Sequence, residues 1–234
     1  MYLRRSFAAS PLFARVAPFV IFLILTAAQG QFGESSRYWF YLAKTLVGAW
    51  LVWEMRRWVP EMRWALSWEA VAVGAGVFVL WVGLDPFYPK PGALLAKVGL
   101  GQWAGADATP WNPLAQFGGH SALAWLMIGT RLAGSSLVVP PLEEVFFRSF
   151  LYRYLARPDF LSVPLGKFFV WPFIATALVF GLEHQQWLAG ILCGAAYQGL
   201  VIRKNRLGDA MTAHAITNFL LALWVVGRGQ WQFW

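Results

Sequence analysis

The sequence predicts an all-α protein, a polytopic transmembrane helix bundle of about eight helical segments. Of its 234 residues, 59% are hydrophobic and only 13% are charged, whereas an average soluble domain has about 25% charged residues. Apolar runs of about 15 to 22 residues recur along the chain and are long enough to cross a bilayer. The chain also has 15 Trp residues, which anchor helices at the headgroup level. We therefore expect a single membrane domain over residues 1–234.

Two parts of this domain differ in content. Residues 1–120 hold the first spans and an interfacial segment without motifs, and residues 121–226 hold the helices with polar motifs. The eight predicted segments are Val16–Ala28, Tyr38–Trp53, Ser67–Leu84, Ser121–Val139, Leu142–Ala156, Lys167–Glu183, Trp187–Ile202 and Asp209–Val226.

The pair Pro140-Pro141 is expected to end the fourth segment, because neither residue can donate a helix hydrogen bond and each ring clashes with the preceding turn. Proline is well placed at the first position of a helix, so the fifth segment should begin there. That segment is short and holds Arg148, Arg153 and Arg157. We expect it to cross the membrane incompletely, which places the basic turn at 203–206 in the cytoplasm.

The formal net charge of +8 does not indicate a nucleic-acid-binding protein. The Lys and Arg residues are scattered in small groups between apolar runs, as in the basic loop 54–63, which belongs in the cytoplasm by the positive-inside rule. We interpret the positive charge as a determinant of membrane topology and as a source of attraction to anionic lipid. The expected surroundings are therefore the lipid bilayer.

Three ionisable residues lie within six positions in an otherwise apolar stretch: Glu143, Glu144 and Arg148. One such residue near the centre of a bilayer costs about 2.5 to 3.5 kcal/mol. Glu144 and Arg148 are four apart and share a helix face, so we predict an ion pair between them. Glu143 is turned about 100° away and is free to act as a general base. The alternative is a salt bridge that only fixes helix packing.

Two further apolar helices carry His184, His214 and Asn218. His214 and Asn218 are four apart and project from one helix face. Ionisable residues inside a membrane normally face the bundle interior and one another. We therefore predict that these side chains and the two glutamates share a polar intramembrane cavity. Peptide hydrolysis requires such a set: a base, a proton shuttle and donors for developing negative charge.

In order and spacing, Glu143-Glu144-xxx-Arg148, Phe180-xxx-His184 and His214-xxx-Asn218 resemble the three motifs of the CAAX protease and bacteriocin-processing family of intramembrane endopeptidases. The chain is also similar to its bacterial CAAX prenyl protease-related subgroup. The resemblance implies that Glu143 and His184 activate a water molecule, that His214 and Asn218 stabilise the oxyanion, and that Glu144 and Arg148 orient the site.

The resemblance further implies a membrane-embedded peptide or protein substrate, either lipidated or C-terminally sorted, and a location in the bacterial cytoplasmic membrane. Metal dependence stays open. Glu143, His184 and His214 could bind zinc or another divalent metal and leave a position for water. HExxH is absent, however, and we favour direct activation of water by the side chains.

Two other functional classes remain. A noncatalytic membrane scaffold could keep the polar cavity, and a small proton-coupled transporter could use carboxylates and histidines as a proton relay. The sequence lacks the paired interrupted helices in corresponding halves that inverted-repeat transporters have. The intramembrane endopeptidase is therefore the favoured function.

Overall fold

A computed structural model describes residues 2–100 and 110–234, and this part of the chain is helical and contains no strand. The predicted fold class is confirmed. The helices are α1 (Tyr2–Ala9), α2 (Pro11–Ala27), α3 (Ser36–Met55), α4 (Trp68–Leu84), α5 (Pro91–Lys97), α6 (Pro113–Phe117), α7 (Ala122–Ala156), α8 (Val170–Leu182), α9 (Trp187–Lys204) and α10 (Gly208–Arg228). Short 3₁₀ turns lie at Asp85–Phe87, Phe160–Ser162 and Trp231–Phe233.

Three helical stretches in the described part of the chain are long and apolar enough to cross a membrane. They are Trp68–Lys97, Ala122–Ala156 and Gly208–Arg228, and α2 and α8 are shorter apolar helices. Helix α7 contacts α2, α3, α8 and α10, and the closest helix pairs are α8 with α9 and α4 with α10. The chain is an integral membrane protein built around α7.

The expected break at Pro140-Pro141 is wrong, because α7 runs without interruption through both prolines for 35 residues. The turns Gly134–Val138 and Val145–Leu151 are π-helical. The wider π turn before the prolines makes room for their rings, which would clash with the preceding carbonyls in a regular α-helix. Two predicted segments are therefore one helix, and the expected short, incompletely crossing helix is its second half.

Small residues set the closest helix contacts. The Gly190-xxx-Gly194 pair faces α8, where a Cβ added at Gly190 would lie 2.9 Å from the Cα of Gly181. In α4 the close contact is at Gly74, where a Cβ would lie 2.6 Å from the carbonyl oxygen of Ala213. A Cβ at Gly76, by contrast, would meet nothing within 4 Å. Gly74 thus lets α10 approach α4 beside His214.

One end of the bundle, which we call the basic face, gathers most of the cations. Glu61, in the loop after α3, accepts hydrogen bonds from Arg15 of α2 and Arg153 of α7 at 2.8 and 2.9 Å. Lys204 at the end of α9 lies 3.0 Å from Glu69 at the start of α4. The positive-inside rule predicts that this face is cytoplasmic. The turn 203–206 lies on this face, where Lys204 pairs with Glu69.

Candidate active site

Glu144, Arg148 and His214 form the buried centre of the site. The predicted ion pair is confirmed: Arg148 Nε lies 3.1 Å from Glu144 Oε2, and neither side chain is exposed. The second oxygen, Glu144 Oε1, accepts a hydrogen bond from His214 Nδ1 over 3.0 Å. Because the carboxylate bears no hydrogen to give, the proton lies on Nδ1, and Nε2 of His214 points away from Glu144. Glu144 therefore joins α7 to α10 and fixes the histidine ring.

Arg148 is held from its other side by ring contacts. Its guanidinium carbon lies 4.4 Å from the centre of the Phe180 ring in α8. Nη2 also points toward the carbonyl oxygen of Gly194 in α9, at 3.4 Å. The guanidinium thus contacts two other helices, α8 and α9, besides pairing with the carboxylate four residues before it. This arrangement suits a group that positions Glu144 rather than one that reaches a substrate.

Glu143 points in a different direction from its neighbour, as its helix position predicts. It lines the central cavity, and its Oε2 atom is buried without a hydrogen-bond partner among the described residues. Nε2 of His214 lies 3.9 Å from that oxygen. A carboxylate that lines a cavity is a suitable partner for an ordered water molecule there. Glu143 can therefore accept a proton from a water in the cavity that it shares with His214.

His184 lies in the turn between α8 and α9 and lines the same cavity. Its Nδ1 lies 2.8 Å from the carbonyl oxygen of Phe180, so Nδ1 carries a proton and the neutral ring leaves Nε2 as an acceptor. The ring also packs edge-on against Trp81, with centroids 5.2 Å apart. No hydrogen bond or ion pair joins His184 to Glu143 within the described residues. The two share the cavity, but any proton transfer between them needs a bridging water.

Asn218 contacts the π-helical turn of α7. Its Nδ2 donates to the main-chain carbonyl of Ser135 over 2.8 Å. That carbonyl lacks a donor in its own helix, because the N–H of Val139 bonds to Gly134 and Pro140 has no N–H. One of the two Nδ2 hydrogens is therefore used, and the other remains for a ligand in the cavity, which Asn218 also lines.

The cavity has a volume of about 220 Å³ and extends away from the basic face. Glu143, His214 and Asn218 lie at its inner end. Its outer part is lined by residues near the opposite helix ends, among them Trp81, His184, Gln186, Phe233 and Trp234. The predicted polar intramembrane cavity is present, and its outer part lies at the end of the bundle opposite the basic face.

Two residues that the sequence analysis did not select complete the walls. Tyr197 of α9 stacks on the His214 ring with centroids 5.2 Å apart and planes inclined by 27°. Its hydroxyl donates to Thr217 Oγ1 over 2.7 Å, and Thr217 in turn donates to the carbonyl of Gly74. The position of Tyr197 in an apolar helix gives no signal in the sequence. The proline pair indicates that carbonyls in the preceding turn lack donors, but only the π-helical register shows that the Ser135 carbonyl is one of them.

The possible metal ligands do not meet at one point. No group of three His, Cys, Asp or Glu side chains in the described ranges is arranged to hold a metal ion. His214 has the orienting carboxylate that metal-binding histidines often have and lies 3.9 Å from Glu143, but His184 does not join these two residues as a third ligand.

Comparison with known proteins gives one family. Residues 125–220 match the model described as "Type II CAAX prenyl endopeptidase Rce1-like". The match spans less than half of the chain but includes all six motif residues. No curated protein and no solved structure matches the chain. This match confirms the resemblance to CAAX endopeptidases that the three motifs indicate.

Proposed function

We propose, from an Rce1-like domain that carries all six motif residues, that the chain is an intramembrane endopeptidase with Glu143 as its general base. The observation that carries the proposal is the Glu143 side chain, which lines a cavity shared with two histidines and an asparagine and whose Oε2 has no hydrogen-bond partner among the described residues. A general base must lie within reach of the water whose proton it takes. Glu143 meets that requirement, whereas Glu144 is occupied by Arg148 and His214.

In the proposed reaction, Glu143 takes a proton from the water molecule as its oxygen attacks the peptide carbonyl carbon. His184 Nε2 assists by accepting a hydrogen bond from the same water. As the tetrahedral intermediate collapses, the C–N bond breaks, and the proton on Glu143 passes to the leaving amine. The products are a carboxylate and an amine, as peptide hydrolysis requires.

The oxyanion is assigned to Asn218 and His214. The unused Nδ2 hydrogen of Asn218 is a donor that faces the cavity. His214 Nε2 can donate only when the ring is doubly protonated, since Nδ1 is committed to Glu144. Preorganised donors of this kind are typically worth about 2.7 to 4 kcal/mol each. Glu144 and Arg148 act on the reaction through the orientation of His214.

The proposed substrate is a membrane-embedded or lipidated peptide or protein, in the cytoplasmic membrane of a bacterium. The test is a comparison of membrane proteins from cells that express the chain or its Glu143→Gln variant. New C-termini that occur only with the unchanged chain support the proposal. Cleavage of a peptide built on such a site by purified protein, lost in Glu143→Gln, would establish it.

Other outcomes distinguish the alternatives. Solute flux into proteoliposomes that survives Glu143→Gln would favour a transporter. A scaffold would be favoured if cells with the unchanged chain and cells with Glu143→Gln had the same membrane-protein C-termini, and if both forms of the chain bound a partner protein. For metal dependence, purified active protein is analysed for bound metals and assayed after chelation and add-back. Activity that disappears with the chelator and returns with one metal would require a revised mechanism.

A further inference from the structure

A second pocket lies on the basic face, away from the proposed active site. We call it the arginine pocket. It has a volume of about 710 Å³, and besides two prolines it is lined by Arg15, Trp58, Glu61, Arg63, Arg153 and Leu161. None of these residues lines the central cavity, and none belongs to the three motifs. The proposed peptidase function therefore leaves this pocket without a role.

The wall of the arginine pocket has an excess of positive charge, because it contains three arginines and one glutamate. The glutamate is already bound by two of the cations: Glu61 accepts hydrogen bonds from Arg15 at 2.8 Å and from Arg153 at 2.9 Å. These two side chains are almost fully buried, and each guanidinium carbon lies 5.5 Å from the centre of the Phe160 ring. Their charges are thus fixed in the wall, and one carboxylate cannot neutralise both.

Arg63 is the cation of the pocket that remains available for a ligand. Its side chain is exposed, and no hydrogen bond or ion pair joins it to another residue in the described part of the chain. Its main chain, by contrast, is held in place. The N–H donates to the carbonyl of Glu61 over 2.9 Å, and the carbonyl of Arg63 lies too close to Gly208 of α10 to leave room for a Cβ there. A free guanidinium on a fixed backbone is suited to binding an anion.

The side chains around the arginine pocket are those expected at the headgroup level of a bilayer. Trp58 lines the pocket, and Trp64 and Trp68 are exposed close by in sequence. Tryptophan is enriched at this level of the membrane. Leu161, in the pocket wall, and Phe13 of α2 are exposed apolar residues on the same side. The pocket therefore combines cations for an anionic headgroup with apolar surface for the chains attached to it.

We propose that the arginine pocket binds the phosphate group of an anionic glycerophospholipid, and that Arg63 is the residue that contacts this phosphate. An arginine fork donates two parallel hydrogen bonds to phosphate oxygens, while Arg15 and Arg153 attract negative charge from the pocket wall. The positive-inside rule predicts that the basic face meets the cytoplasmic leaflet, which contains anionic lipids. Basic pockets between helices on that side are typical binding sites for anionic headgroups.

Binding is measured by titrating short-chain lipids calorimetrically into the purified full chain in a neutral detergent. The probes are dioctanoylphosphatidylglycerol, which is anionic, and dioctanoylphosphatidylcholine, which has a phosphate group but no net charge. We expect saturable binding of phosphatidylglycerol and weaker binding of phosphatidylcholine. Arg63→Gln should lower the affinity for phosphatidylglycerol about 10- to 100-fold, because a charge-assisted contact is lost. Arg63→Lys should retain part of that affinity.

Arg157 provides a matched control. It is also an exposed arginine of the basic face with no hydrogen bond or ion pair from its side chain to the described residues, but it does not line the pocket. Arg157→Gln removes the same charge and should leave the affinity for phosphatidylglycerol unchanged. An equal loss of affinity in Arg157→Gln and Arg63→Gln would indicate diffuse attraction to the whole face and would overturn the proposal.

Inorganic phosphate distinguishes a lipid headgroup from a soluble anion. Phosphate that binds as tightly as phosphatidylglycerol, and only when Arg63 is present, would assign the pocket to a soluble phosphate and overturn the lipid assignment. Equal affinity for the two lipids, binding of phosphatidylglycerol that does not saturate, or an affinity unchanged by Arg63→Gln would also overturn the proposal. None of these measurements needs turnover, so their outcome is independent of the proposed peptidase function.

Discussion

Asn218 Nδ2 and the main-chain carbonyl of Ser135 are joined by a 2.8 Å hydrogen bond that links α10 to the π-helical turn of α7. The bond supplies the donor that Pro140 cannot provide. Asn218 therefore has a structural contact in addition to its proposed contact with the oxyanion. Substitution should affect both stability and turnover, and the two effects can be measured separately.

We predict that Asn218→Ala lowers the rate of cleavage about 100- to 1000-fold, because an oxyanion donor is lost. It should also lower the free energy of unfolding by about 1 to 3 kcal/mol, since the Ser135 carbonyl is left without a partner. Initial rates and denaturant unfolding in detergent measure the two effects. Unchanged turnover with reduced stability would limit Asn218 to its contact with Ser135.

The buried pair of Glu144 and Arg148 gives a second prediction. Arg148→Met should lower the free energy of unfolding by about 3 to 5 kcal/mol, because it leaves a buried carboxylate without its cation. The double variant with Glu144→Gln should recover much of that loss in denaturant unfolding. Arg203→Met is the control: Arg203 lies 3.8 Å from Glu69 and is largely exposed, so its change should be below about 1 kcal/mol. A double variant no more stable than Arg148→Met would contradict the prediction.

Glu61 gives a pH-dependent prediction for the basic face. Burial alone would raise the pKa of this carboxyl, but the charge of Arg15 and the hydrogen bond from Ser149 hold the pKa below its ordinary value. Its contribution to stability is therefore complete above the unfolded pKa of about 4.3 and is lost as the pH falls through the lower folded pKa. The free energy of unfolding of the wild type and of Glu61→Gln is measured at pH values from above the unfolded pKa to below the folded pKa.

The difference in stability between these two proteins should shrink as the medium is acidified. Glu34→Gln is the control, because Glu34 is exposed in the loop between α2 and α3. It should behave like the wild type at every pH. A difference between Glu61→Gln and the wild type that grows on acidification would contradict the assigned direction.

The orientation of the bundle predicts opposite labelling of two exposed positions, Gln185 beside the cavity and Asp159 on the basic face. Each is replaced by Cys in a Cys193→Ala background and treated with a membrane-impermeant thiol reagent. The reagent is added to intact cells whose outer membrane has been permeabilised. Gln185→Cys should react in these cells, whereas Asp159→Cys should react only after lysis. The reverse pattern would place the cavity on the cytoplasmic side.

Composition and spacing predicted much of this structure. The apolar runs located the spans, and the four-residue spacing located the ion pair of Glu144 with Arg148. Local rules failed at Pro140-Pro141, where tertiary contacts override the tendency of proline to end a helix. A π turn is not encoded by a short pattern, and its missing donor comes from Asn218, which lies 83 residues further along the chain.

The partners of His214 also required the structure. Spacing places it on one face with Asn218 but cannot say which carboxylate it meets on another helix. The ring bonds to Glu144 at 3.0 Å and lies 3.9 Å from Glu143, so one histidine contacts both glutamates of the motif.

The ion pair within α7 has a consequence for how the protein enters the bilayer. During synthesis α7 leaves the ribosome well before α10, so Glu144 reaches the membrane before His214 exists. Arg148, one turn away on the same helix, already neutralises that carboxylate. We expect the insertion machinery to meet a nearly neutral helix, with Glu143 as the one acidic group still to be accommodated.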